Sequence, residues 1–166
     1  MGFNRRMSST TVTRHIAAPR AAVYRALLDP GAIAAWRVPR GMSSEVHEFE
    51  GREGGVFRVS LTYDPPEQVG DLPEQAGKSS AHTDTYHGRF RRLVPDERVV
   101  EETEFETTDP RLQGTMTMTT ILTDAPGGTT VTVVHEGVPA GVSPADNETG
   151  TRMALENLAR LLERGN

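Results

Sequence analysis

Two side chains stand out as able to move a proton: Glu101, within the stretch 98–107, and His135, within 129–136. An imidazole titrates near neutrality without help. A carboxylate does so only where burial penalises its charged form and raises its pKa. Which face of its strand Glu101 occupies therefore decides its chemistry, since a slip of one residue returns it to solvent as part of an ordinary charged face. His135 lies near a strand end, where a histidine is more often a structural residue. Other chemistry is thin. The chain has no cysteine, which removes thiolate nucleophiles, disulfides and cysteine-based metal sites together. His82 and His87 are close in sequence, but one falls in a presumed loop and the other on the outer face of its strand; neither has a zinc spacing, and no metal is expected. The glycines of 51–55 and 127–128 belong to turns and precede no helix, so neither group is a phosphate loop and no cofactor is expected. No serine or threonine has an evident base partner, which leaves nucleophilic catalysis unsupported.

The elements that must position Glu101 and His135 follow from periodicity and punctuation. Residues 1–10 read as a polar tail, and 11–17 alternate as a short first strand. Pro19 opens a helix in which Ala21, Val23, Tyr24, Leu27 and Leu28 recur at helical spacing; Asp29-Pro30-Gly31 stops it, and a second short helix spans 32–36. Strands are then expected at 43–50, 55–63, 84–94, 98–107, 114–123 and 129–136. Their short connections leave no room for crossover helices, so neighbours pair antiparallel. Residues 64–83 are polar and aperiodic and read as a long insertion loop. Ser143, Pro144 and Asp146 supply the cap, first residue and first-turn carboxylate of a final helix. Thr151, Ala154, Leu155, Leu158 and Leu162 form its apolar face. The fold class is α+β, with residues 11–166 forming a single domain.

Composition narrows the partners. At 166 residues, with 36% hydrophobic and 25% charged residues, the chain is long enough and apolar enough for a buried core. The net charge of −5 and scattered basic residues argue against nucleic acid. No stretch is apolar enough for a membrane span, the N-terminus lacks a signal core, and Arg6 stands where a myristoylation signal needs serine or threonine. With no cysteines, this fits a cytoplasmic protein. A homodimer is only the base-rate expectation for oligomeric state.

Several segments carry a resemblance. The opening from Ile16 to Pro30, Glu53-Gly-Gly-Val-Phe-Arg58, Gly88-Arg-Phe90 with Val94-Pro-Asp-Glu-Arg98, and His135-Glu-Gly137 before a leucine-rich helix look like the START/Bet v 1-like (SRPBCC) superfamily. Within it, the chain resembles bacterial homologues of the activator of the heat-shock protein 90 ATPase, over about residues 12–163. The resemblance implies a helix-grip fold: a curved antiparallel sheet of about seven strands wrapped around a long C-terminal helix, with two short helices after strand 1. That superfamily includes lipid carriers, hormone receptors, polyketide cyclases and co-chaperone domains, so function must come from the site. Many relatives carry Trp-Trp where this chain has Trp36-Arg37, and tryptophan where it has Thr151, which implies a wider or more polar pocket here.

If the concave face looks at the long helix, alternation assigns its lining. A tight hairpin at Pro95-Asp96 sets Tyr86 opposite Phe105 and Phe90 opposite Glu101. Extending the register predicts three rows: Tyr86, Phe105, Met116, His135; then Gly88, Thr103, Met118, Val133; then Phe90, Glu101, Thr120, Val131. Asn147 and Thr151 would face them from the helix. On this register Glu101 and His135 lie about 15 Å apart and cannot bond directly. Apolar rows broken by single polar groups suit a small hydrophobic or amphipathic ligand, lipid-like, aromatic or polyketide-like, although simple core filling explains Met116 and Met118 as well. The alternatives are a cyclase, hydratase or hydrolase using Glu101 or His135, and an interaction module that modulates a chaperone ATPase.

Overall fold

The structure, a computed structural model, describes residues 8–63 and 83–163. Strand β1 (Ser8–Ile16) is followed by helices α1 (Arg20–Leu27) and α2 (Pro30–Trp36). Strands β2 (Met42–Phe49), β3 (Val56–Tyr63), β4 (Thr83–Val94), β5 (Arg98–Phe105), β6 (Met116–Ala125) and β7 (Gly128–Val138) come next, and helix α3 (Pro144–Glu163) ends the chain. They form one seven-stranded sheet in the order β1-β7-β6-β5-β4-β3-β2, and each neighbouring pair is antiparallel. With α3 packed against β1 and α2, this is the α+β helix-grip arrangement that the sequence implies. No described helix is long and apolar enough to cross a membrane.

Boundaries differ in places from the sequence reading. Ser8–Thr10, read as tail, open β1, where Thr10 is buried against β7. Thr83, read as loop, opens β4, and the rest of that expected insertion, 64–82, lies outside the described residues. Asp29 and Pro30 do more than stop α1: the Asp29 carboxylate accepts the Ala32 amide at 3.0 Å, and Pro30 occupies the first turn, so the same residues start α2. At α3 the Ser143 hydroxyl accepts the Asp146 amide at 2.9 Å, and Leu155, Leu158 and Ala159 are buried.

Three connections set the register. Pro95 and Asp96 (φ 62°) make the β4–β5 hairpin, closed by Glu97 N–H to Val94 O at 2.9 Å, and Tyr86 indeed faces Phe105 while Phe90 faces Glu101. The β5–β6 connection is longer than an alternating strand pair allows, because Asp109 folds it locally by accepting the Arg111 amide at 2.9 Å. Met116 therefore pairs with Thr103, not Phe105. The β6–β7 turn centres on Pro126 and Gly127 (φ 76°), which a proline–glycine turn of this kind requires. It brings His135 opposite Met118, not Met116. The predicted rows are corrected accordingly: one runs Phe90, Glu101, Met118, His135, and Thr120 pairs with Val133 and Val99. Each slip is of two residues, so no side chain changes face.

Candidate functional site

The inner face of β3–β7, helix α3 and the segment after α2 line an open-mouthed cavity of about 500 Å³. Its most unusual wall residue is Arg37. The Trp36 indole donates to Ala26 O at 3.0 Å, which fixes the end of α2. From α3, Asn157 Nδ2 donates to both Trp36 O (3.2 Å) and Val38 O (3.0 Å), so the backbone on either side of residue 37 is tied to the long helix. The side chain between these anchors points inward, where the Arg37 Nη1 donates to Glu101 Oε1 at 3.0 Å and Nη2 to Met118 Sδ at 2.9 Å. The guanidinium carbon lies 5.7 Å from the centre of the Tyr86 ring, within cation–π range.

This pair is interior, with side chains 17% and 4% exposed for Arg37 and Glu101. Glu101 is thus on the inner face, but paired with a cation rather than as the lone desolvated carboxylate that the sequence argument needed. Burial acts to lower the Arg37 pKa, yet the charge of Glu101, together with Tyr86 and the hydrogen bond to Glu101, holds it above the ordinary guanidinium value. Glu101 lies beneath Arg37 and does not itself line the cavity.

His135 belongs to the same cross-strand row as Glu101, with Met118 between them. Two strand spacings make that about 10 Å, closer than the predicted separation and still beyond direct bonding. Burial, and then the nearby Arg37 charge, push the His135 pKa down to about 4, so the ring is neutral at neutral pH. Burial raises the Tyr86 pKa, Arg37 partly opposes this and Glu101 adds to it, leaving a protonated phenol.

Of the predicted lining residues, Tyr86, Thr103, Phe105, Met116, Met118, His135, Asn147 and Thr151 line this one cavity. Phe90 does not; its ring packs against Phe49 and Phe57 with centroids 5.5 and 5.2 Å away. Thr120 is buried away from the cavity as well. The two α3 residues use their polar groups locally, Asn147 Nδ2 donating to Thr10 Oγ1 at 2.6 Å and Thr151 Oγ1 to Asn147 O at 2.7 Å. Three others are different. The Tyr86 hydroxyl, Thr103 Oγ1 and His135 Nδ1 are buried without a hydrogen-bond partner among the described residues, in residues only 7%, 5% and 8% exposed.

Sequence reasoning missed Arg37 as a wall residue, together with Leu61 and Met153. The available signal was the arginine in place of a second tryptophan after Trp36. It also missed a base partner for a serine: His47 Nε2 lies 2.8 Å from Ser60 Oγ, and Glu45 Oε2 is 3.7 Å from His47 Nδ1. Yet Ser60 Oγ is also 2.7 Å from Thr85 Oγ1, and β3 is paired on both sides, so its amides are engaged in the ladder rather than offered to an oxyanion. His87 is on the outer face, 3.0 Å from Glu106. Among the described residues, no group of three or more His, Asp or Glu could hold a metal ion.

Comparison with known proteins agrees with this architecture. The family model for Activator of Hsp90 ATPase homolog 1-like protein matches residues 17–163. The crystal structure of protein CV1439 from Chromobacterium violaceum is 30% identical, with a TM-score of 0.79, covering 93% of this chain and 96% of that one. Protein Mll3558 from Rhizobium loti is 27% identical, with a TM-score of 0.70, over 95% of this chain and 98% of that one. A protein from Rhodobacter sphaeroides, at 21% identity and a TM-score of 0.76 over 96% and 94% of the two chains, shares the fold. No curated protein matches the chain.

Proposed function

The chain belongs to the Activator of Hsp90 ATPase homolog 1-like family of the START/Bet v 1-like (SRPBCC) superfamily, and from that premise we propose that it binds one small, partly apolar molecule in the cavity between sheet and α3. One observation carries the reading: three buried polar atoms with no partner among the described residues, on Tyr86, Thr103 and His135, border the same cavity. A buried polar atom left unpaired costs about 1–3 kcal/mol, so three around one space favour whatever supplies their hydrogen bonds. Met116, Met118, Val133 and Leu155 provide the apolar wall beside them. Apolar surface with a few convergent polar groups is the common character of small-molecule sites.

Proton-transfer catalysis finds less support. Glu101 is held by Arg37 and stands behind it, and His135, with its pKa near 4, is a weak base at neutral pH. These groups are better read as fixed parts of a binding wall.

Native mass spectrometry of the protein from its host, against the same sample denatured, tests the proposal. A small molecule that co-purifies and is lost on denaturation is the expected result. An apo mass, with no member of a broad small-molecule library raising the melting temperature, would sink it.

A further inference from the structure

The polar end of the cavity is electrically closed before any ligand arrives. Arg37 and Glu101 neutralise one another at 3.0 Å, and the second guanidinium nitrogen is engaged with Met118. The three unpartnered groups, Tyr86, Thr103 and His135, are uncharged at neutral pH, the first and last because burial and Arg37 together disfavour a charge on the imidazole and burial disfavours one on the phenol. Of the other charged side chains on the lining, Arg40 and Asp146 are exposed, and Asp84, buried two residues before Tyr86 on β4, makes an interaction of its own.

Resting on the ligand-binding reading above, we infer that the site selects a molecule whose buried polar end is an uncharged oxygen group, a carbonyl or hydroxyl on an apolar skeleton. Such a group can accept from a hydroxyl, that of Tyr86 or of Thr103, or meet His135 Nδ1 in whichever tautomer serves it. A carboxylate would enter as a second anion competing with Glu101 for one guanidinium, after losing its own hydration. An ammonium would be desolvated close to the Arg37 guanidinium, whose charge opposes it. The selectivity is therefore built by the pair that the ligand does not need to touch.

Binding of two matched series near neutral pH tests this: acetylnaphthalene, naphthoate and naphthylmethylammonium, and decanol, decanoate and decylammonium, with naphthalene as the headless reference. The neutral member of each series should bind at least about tenfold more tightly than either ion. Tyr86→Phe and the near-isosteric Thr103→Val should each weaken acetylnaphthalene severalfold while leaving naphthalene unchanged. A carboxylate that binds as tightly as its neutral analogue overturns the inference but leaves ligand binding intact. Equal losses for acetylnaphthalene and naphthalene in both variants also overturn it, by removing the polar contact. If no compound of either series binds, the inference falls, while ligand binding itself stands or falls with the native mass measurement.

Discussion

Arg37 and Glu101 meet at 3.0 Å inside the protein although 64 residues separate them in the chain. The first comes from the end of a short helix and the second from the middle of β5, so their contact fastens the helical segment after β1 to the floor of the sheet. The pair also fixes the polarity of the cavity's interior, because the buried groups there without a partner among the described residues, on Tyr86, Thr103 and His135, are neutral.

Removing one partner should be much worse than removing both. Arg37→Met leaves the Glu101 carboxylate buried with no cation, a loss of about 3–5 kcal/mol. Adding Glu101→Leu removes the stranded charge and should recover most of that stability. Urea unfolding of the two single variants and the double variant measures the coupling; additive losses would mean that the pair contributes no coupling of its own.

His135 should make stability fall in acid. Its folded pKa, about 4, lies below the ordinary value of 6.5, so between these values the unfolded chain holds more protons than the folded one. Stability from this group is therefore complete above about pH 6.5 and drains away as pH falls towards 4, by roughly 3 kcal/mol in all. His135→Gln should remove that part of the slope, read from unfolding curves across the range. An imidazole that titrates near its ordinary value by NMR would contradict the burial argument.

What the sequence disclosed about this site depended on periodicity. Strand alternation put Tyr86, Thr103, Phe105, Met116, Met118 and His135 on one face, and a two-residue slip in β6 and β7 leaves faces unchanged. The rows were not legible, because they depend on how many residues the 106–115 connection and the Pro126-Gly127 turn consume. Arg37 was hidden for another reason: it follows a seven-residue helix, has no periodic context, and acquires meaning only from a strand far along the chain. The orphaned atoms of Tyr86, Thr103 and His135 are likewise a tertiary property, since local sequence cannot show that a buried hydroxyl lacks a partner.

Gly88 should not tolerate a methyl group. A Cβ there would lie 1.9 Å from Glu102 O and 2.8 Å from Phe57 Cζ, and the first of these is backbone that can move only with the β4–β5 ladder. Gly88→Ala is expected to cost about 1–3 kcal/mol through overpacking. The thermal midpoint should drop, and amide exchange should quicken in β4 and β5 more than in β1; an unchanged midpoint would show that the strands part without cost.

Asn157 tests whether the cavity wall is held from α3. Its amide nitrogen donates to Trp36 O and Val38 O, on both sides of Arg37, while its carbonyl oxygen accepts from Arg160. Asn157→Ala leaves two inward carbonyls without their donor and should cost about 1–3 kcal/mol. Asn157→Asp should be at least as damaging, because a carboxylate cannot donate and would face both carbonyls with negative charge. Asn157→Gln can still donate and should fall between the native protein and alanine if its longer chain reaches. Each variant should also loosen the grip on Arg37, so exchange at residues 36–38 and the unfolding midpoint should shift together. A midpoint that falls while exchange at 36–38 stays slow would place the contribution of Asn157 in the helix itself rather than in the segment it holds.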